Sequence, residues 1–213
     1  PSRLDVMGGI AHYTGSLVCH ALLDRAAVVA IQRRDDRVTQ IFSFNLLDAH
    51  QPFTLMAPVD ALARVPIGQW QAELAEPGRR WAASLVGCFA VLQDEGLIDL
   101  ADESAGGFNV AVLNDVPAGV GLASGAALEA AMLSAIIDEL GVDVPPMKRA
   151  ALCQRVAREV SGGSDAIADR AAIFTGETGM LARMRCQPDD PQPSLELPAG
   201  IRVVGISSGV VGA

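Results

Sequence analysis

The sequence predicts an α+β fold, because strands come first, then clustered helices, then strands again. Two alternating, β-branched runs, 26–34 (AAVVAIQRR) and 37–45 (RVTQIFSFN), flank Asp35-Asp36 near the start. Two long helical patterns follow one another in the second half, and a short strand runs into the first of them. A regular strand–helix alternation, which would signal a parallel βαβ series, is not present.

Taken in order, the opening 1–18 (PSRLDVMGGIAHYTGSLV) reads as a strand followed by a polar loop. The runs 26–34 and 37–45 read as a β-hairpin turning at the two aspartates. Over 78–94 (GRRWAASLVGCFAVLQD), apolar residues at 81, 85, 88, 89 and 92 keep helix spacing. Residues 106–115 (GGFNVAVLND) form a strand, followed by helices at about 123–140 and 147–160. Gly141 ends the first helix and Pro145-Pro146 starts the second. Ser164 is the expected N-cap of a short helix over 165–175 that stops near Gly176. Strands at 180–186 and 201–207 close the chain, joined by a Pro- and Asp-rich loop at 188–193.

The 213 residues are 50% hydrophobic, so the chain has enough apolar surface for a substantial core and is not disordered. Aromatic residues make up only 4%, too few for base-stacking platforms on single-stranded nucleic acid. A net charge of −9 argues against nucleic acid as a partner, since phosphate backbones are held by clustered Lys and Arg. Small anions remain open to it, because backbone N–H groups can hold them without net charge. Cys19, Cys88, Cys153 and Cys186 are scattered in apolar runs without metal spacing, which reads as buried, reduced thiols. With no apolar stretch of membrane-spanning length and no signal peptide, the expectation is a soluble cytoplasmic domain without a membrane partner. Both ends read as cut, which predicts a fragment of a longer protein.

Three segments carry candidate chemistry. In 117–125, Gly119, Gly121 and Gly125 punctuate a turn between a strand and a long helix. Such a turn points free N–H groups and the positive end of the helix dipole at one spot, worth ~0.3–2 kcal/mol to an anion. It also suits a tight connection with no ligand. It is not a P-loop, lacking the Lys-Ser/Thr pair, and its third glycine falls one residue late for GxGxxG. The opening segment gathers Arg3, Gly8, Gly9, His12, Tyr13 and Gly15; His12 reads either as a ligand donor or as a solvated loop histidine. In 161–177, Asp165 and Asp169 share one helix face, as a functional carboxylate pair or as ordinary N-terminal helix chemistry.

Together the three resemble the GHMP kinase superfamily, and within it the sugar kinases of galactokinase and L-arabinokinase type. RLDVMGGIAHYTGSLV resembles the sugar-side motif, VPAGVGLASGAALE the phosphate-binding P-x-G-x-G-L-S-S-S-A-A, and GGSDAIADRAAIFTGE the G-x-P-C-G-x-M-D-Q segment. WAASLVGCFAVL (81–92) and GISSG (205–209) extend the likeness along the chain in the right order. The resemblance implies a ribosomal protein S5 domain 2-like N-terminal domain, a mixed sheet packed against helices, over 1–213, with a C-terminal domain to follow.

It also implies roles. Asp169 falls on the catalytic base that accepts the sugar hydroxyl's proton, and Arg3 on the arginine that steadies it. Pro117, Gly119, Gly121, Leu122, Ala123, Ser124 and Gly125 would hold the ATP phosphates; Gly9, His12 and Tyr13 would face the sugar. Mg²⁺ would bridge the phosphates, with Asp165 as a candidate ligand. Departures from the pattern accompany these matches. The metal-binding serine aligns with Gly125, the metal-binding glutamate with Ala157 (Glu159 lies two on), the acidic sugar ligand with His12, and the Gln after the catalytic Asp with Arg170. An ATP-dependent kinase of a monosaccharide hydroxyl is therefore carried beside a non-catalytic relative that binds sugar or nucleotide as a sensor or interaction module. A dinucleotide-dependent oxidoreductase is the third reading.

Overall fold

The computed structural model describes residues 1–163, 166–206 and 208–209. The chain opens with β1 (Arg3–Met7), a 3-10 turn (Gly9–Thr14) and β2 (Leu17–Leu22). Next come β3 (Ala27–Arg33), β4 (Val38–Ser43), α1 (Phe44–Asp48), β5 (Thr54–Pro58), α2 (Val59–Arg64) and α3 (Trp70–Glu73). The second half holds α4 (Ala83–Asp94), β6 (Phe108–Asn114), α5 (Ser124–Leu140), α6 (Pro146–Val156), α7 (Ile167–Thr175), β7 (Met180–Arg185) and β8 (Asp190–Glu196).

Two four-stranded sheets result. One is antiparallel in the order β1-β2-β7-β8, and the other is mixed in the order β3-β6-β4-β5. The α+β expectation holds. The expected hairpin of 26–34 with 37–45 does not form, because β6 lies between its two strands. It pairs antiparallel with β3 (Ala27 opposite Asn114) and parallel with β4 (Gln40 opposite Asn109). Phe108, Val110 and Val112 are buried in the core, so β6 gains a paired ladder on both edges by sitting in the middle.

Entry into that slot depends on Gly107. A Cβ there would stand 2.0 Å from the Val38 carbonyl oxygen, in backbone that cannot yield. Gly107→Ala should therefore destabilise the fold by about 3 kcal/mol or more, read from a chemical-denaturation midpoint. A shift under about 0.5 kcal/mol would show that the approach is not tight.

At the other end of the chain, 188–193 is not a loop throughout. Residues from Asp190 on pair with β7 as the edge strand β8, although Pro191 and Pro193 signal a loop. An edge strand tolerates prolines because one side of it needs no N–H donors. The strand expected at 201–207 is also absent: 201–206 are irregular, with Ile201, Val204 and Ile206 exposed, and Ser207 lies outside the described residues.

The main core packs α4, α5 and α6 against the mixed sheet. Positions Leu85 to Leu92 of α4 are buried on every side, the mark of a central helix. Phe89, fully buried 5.2 Å from the Phe108 ring, alone contributes ~1.5–3 kcal/mol. A smaller cluster of Val18, Ala168, Ala171, Met184 and Cys186 seats α7 on the antiparallel sheet. The four cysteines are free and buried, as expected. Gly141, at φ 67°, caps α5, and Pro146 opens α6. Among the described residues no helix is long and apolar enough to cross a membrane.

Candidate active site

Arg3 projects from β1 toward the first turn of α7 and meets Asp169 with two parallel bonds. Its Nε donates to Oδ1 at 2.8 Å and its Nη2 reaches Oδ2 at 2.7 Å. The remaining nitrogen, Nη1, donates to the Gly121 carbonyl at 2.7 Å. One guanidinium, 11% exposed, thus ties the Gly-rich turn to the carboxylate, though the residues lie 118 and 166 positions away in sequence.

The turn itself is shaped by left-handed backbone. Gly119 and Gly121 have φ of 72° and 80°, and Ala123, the residue before α5, has φ 57°. No side chain caps α5, and its first residues line a cavity of about 370 Å³ over the turn. Gly119, Gly121, Leu122, Ala123, Ser124 and Gly125 all line this cavity, as do Asp169 and Arg80. Pro117 does not. It lines a separate, largely apolar cavity of about 430 Å³ with Leu85, Val112, Val116 and Leu128. Trp81 is in the wall of both.

On its other side Asp169 borders a third cavity of about 130 Å³, lined by Arg3, Asp5, Gly9, His12 and His20. Asp5 accepts the Gly9 N–H through Oδ2 at 2.8 Å, while its Oδ1 is buried with no protein partner. His12 Nδ1 lies 2.8 Å from the Gly9 carbonyl, which can only accept, so Nδ1 carries the proton and Nε2 is left as an acceptor. That Nε2 is also buried without a partner. Orphaned buried acceptors are costly, and both belong to residues that line one small cavity, a pairing that suits a ligand rich in hydroxyl donors. Tyr13, expected to face the sugar, does not line this cavity. The 3-10 turn sends it outward, 64% exposed, with its ring 3.9 Å from that of His12 and outside the cavity wall.

The metal expectations fare differently. Asp165 and Ser164 lie outside the described residues. Ala157 is fully buried at the start of a π turn (Ala157–Ser161), and Glu159 is held by Arg155 (3.0 Å) and Arg158 (2.8 Å), outside the wall of the glycine-lined cavity. The second carboxylate in that cavity wall, which the sequence reading missed, is Glu129 on α5. Arg170, standing where the family motif has Gln, binds Glu129 Oε2 through Nε (3.0 Å) and Nη2 (2.7 Å), both side chains 3% exposed. Burial pushes the Glu129 carboxyl up, with the Arg170 guanidinium opposing. Both described carboxylates in the wall of the glycine-lined cavity are thus already matched by guanidinium groups, and no cluster of three potential ligands exists among the described residues. They do not make a ready Mg²⁺ cage.

His20 and Trp81 were also missed. His20 sits in an apolar run, LVCHAL, that reads as core, and Trp81 fits the apolar stripe of its helix equally well.

Fold and site together define a class: an α+β domain with a glycine-rich turn at a helix N-terminus beside an Arg-clamped carboxylate. Residues 84–177 match the family described as GHMP kinases N terminal domain. L-arabinokinase of Arabidopsis thaliana is 30% identical over 238 residues, covering 99% of this chain and 22% of that protein. A galactokinase of Chloroflexus aggregans is 30% identical over 215 residues, covering 99% and 48%. Among solved structures, Lactococcus lactis galactokinase complexed with galactose superposes with a TM-score of 0.75 at 21% identity, over 92% of this chain and 45% of that one. Methanococcus jannaschii mevalonate kinase gives a TM-score of 0.68 at 16% identity, over 87% and 51%. The match to the GHMP kinase N-terminal domain thus covers the middle of the chain, which spans less than half the length of those two sequence relatives.

Proposed function

We propose that the protein is an ATP-dependent sugar kinase, transferring the γ-phosphate to a monosaccharide hydroxyl. The observation that carries this is the sequence of three cavities joined by shared walls. Trp81 links the apolar cavity to the glycine-lined one, and Asp169 links the glycine-lined one to the small polar one. Base, triphosphate and acceptor fit these in order.

The adenine would rest against Trp81, Leu85 and Pro117. The phosphates would lie over Gly119–Gly125, held by turn and helix amides and by Arg80 in the cavity wall. Magnesium would enter as the counter-ion of ATP, carried mainly by phosphate oxygens and water. The sugar would fill the polar cavity, donating hydroxyls to Asp5 Oδ1 and His12 Nε2. Asp169 would take the proton of the attacking hydroxyl as its oxygen bonds to the γ-phosphorus and the bond to the ADP oxygen breaks. Arg3 fixes the plane of that carboxylate and brings positive charge beside the phosphoryl group. Positioning and electrostatics supply most of the acceleration in such transfers.

The test is coupled ADP release with Mg-ATP and a panel of monosaccharides. Turnover on one sugar supports the reading and names the substrate. Binding of sugar or ATP without turnover on any of them would favour the non-catalytic relative, a reading supported by the Glu129–Arg170 pair and the buried Ala157.

A companion expectation concerns Trp81. Trp81→Ala should raise KM for ATP by about tenfold with a smaller effect on kcat, because it removes apolar contact with the base and none with the reacting atoms. An unchanged KM for ATP would move the base elsewhere.

A further inference from the structure

His20 occupies a position that an apolar residue would fill more cheaply. It is 3% exposed in the middle of β2, between Cys19 and Ala21, and burying an imidazole there costs free energy unless it finds a polar partner. Register places it opposite Asp5 on β1 and opposite Ala182 on β7. Arg3 and Asp5 are two apart on β1, so their side chains share one sheet face with His20, the face against which α7 packs. Its Nε2 is 3.6 Å from Asp169 Oδ1, the oxygen that also accepts Arg3 Nε.

We infer that His20 is a positioning residue for Asp169: its Nε2–H turns onto Oδ1 when an acceptor hydroxyl fills the small cavity, leaving Oδ2 presented to that hydroxyl. The inference rests on the reading of Asp169 as the base. The separation is slightly longer than a hydrogen bond, and catalytic bonds commonly tighten only once substrate is bound. A carboxylate oxygen accepts, so the tautomer that serves is the one with its proton on Nε2. Arg3 holds the carboxylate in plane from one side, and His20 would stop it pivoting about that clamp.

The charged and titratable groups around the ring are Asp169 from α7, Arg3 and Asp5 from β1 and His12 from the 3-10 turn, with Arg183 of β7 in the narrow crevice behind. Burial pushes the imidazole below its ordinary value, partly offset by the Asp169 carboxylate, so the ring is neutral at physiological pH, as a donor to Oδ1 requires.

The experiment compares the protein with His20→Leu, His20→Gln and Asp169→Asn. His20→Leu should lower kcat about 10- to 100-fold, the weight of a hydrogen bond to a charged group, while KM for ATP stays put. His20→Gln, whose amide N–H reaches to a similar point, should recover most of that loss. Wild-type kinetics in His20→Leu, or no recovery in His20→Gln, would overturn the inference while leaving the kinase reading intact. Turnover lost in Asp169→Asn tests that reading separately. A second readout needs no turnover. The His20 ring titration, followed by NMR, should have its midpoint below that of free imidazole and fall further in Asp169→Asn, where the offsetting carboxylate is gone. A midpoint that does not move would show that the two side chains are uncoupled and sink the inference.

Discussion

Asp169→Asn is expected to lower sugar-dependent ADP release by about 10²–10⁴-fold, the usual worth of a positioned base, while nucleotide binding is retained. Asn keeps an oxygen for the Arg3 clamp at 2.7–2.8 Å but loses the capacity to take a proton. The glycine turn and the apolar cavity are not touched by the change. Steady-state kinetics beside a nucleotide titration separate the two effects. Retained turnover in the variant would remove Asp169 from its role. Lost nucleotide binding would show instead that the Arg3–Asp169–Gly121 junction holds the turn in shape.

The largest expected loss of stability follows Arg170→Leu. It leaves the Glu129 carboxylate 3% exposed without its guanidinium, and breaking a buried pair from one side costs about 3–5 kcal/mol. Ser84, 3.3 Å from the other oxygen, is a weak substitute. The deficit carries a pH signature. Burial already raises the Glu129 carboxyl above its ordinary value, and losing Arg170 removes the chief opposing influence. A group raised in the folded state contributes stability at low pH that is lost as pH rises through the folded value. The deficit of Arg170→Leu should therefore be largest near neutrality and shrink toward about pH 5, in urea unfolding at several pH values. Replacing Glu129 by Leu as well should recover much of the loss, since apolar substitutes for a buried pair are commonly neutral. A pH-independent deficit under about 1 kcal/mol would mean that water already reaches Glu129.

The glycine turn was legible because its residues are adjacent in sequence, whereas Arg3 and Asp169, 166 positions apart, were paired only through the resemblance of their separate motifs. The α5 and α6 boundaries were legible for the same reason, through Gly141 and Pro146. What stayed hidden depends on long-range pairing. The runs 26–34 and 37–45 carry a hairpin's local signals, and nothing within them shows that β6, some 70 residues on, enters between them. His20, Glu129 and Trp81 sit on apolar faces where their spacing matches that of core residues. Only the packing of α7 on the antiparallel sheet brings His20 to the Asp169 carboxylate, and only Arg170 explains a glutamate inside α5. In 188–193 the prolines mark a place where N–H donors are not needed, which an edge strand satisfies as well as a loop.

The central claim is that Asp169 is a wall between two sites filled at once, nucleotide on one side and sugar on the other. Calorimetric titration of a non-hydrolysable ATP analogue and of the sugar, each alone and each into protein saturated with the other, tests it most directly. The account predicts that both bind together, one of each per chain, with neither excluding the other. Mutual exclusion would contradict it, by showing that the glycine-lined and polar cavities form one site rather than two meeting at Asp169.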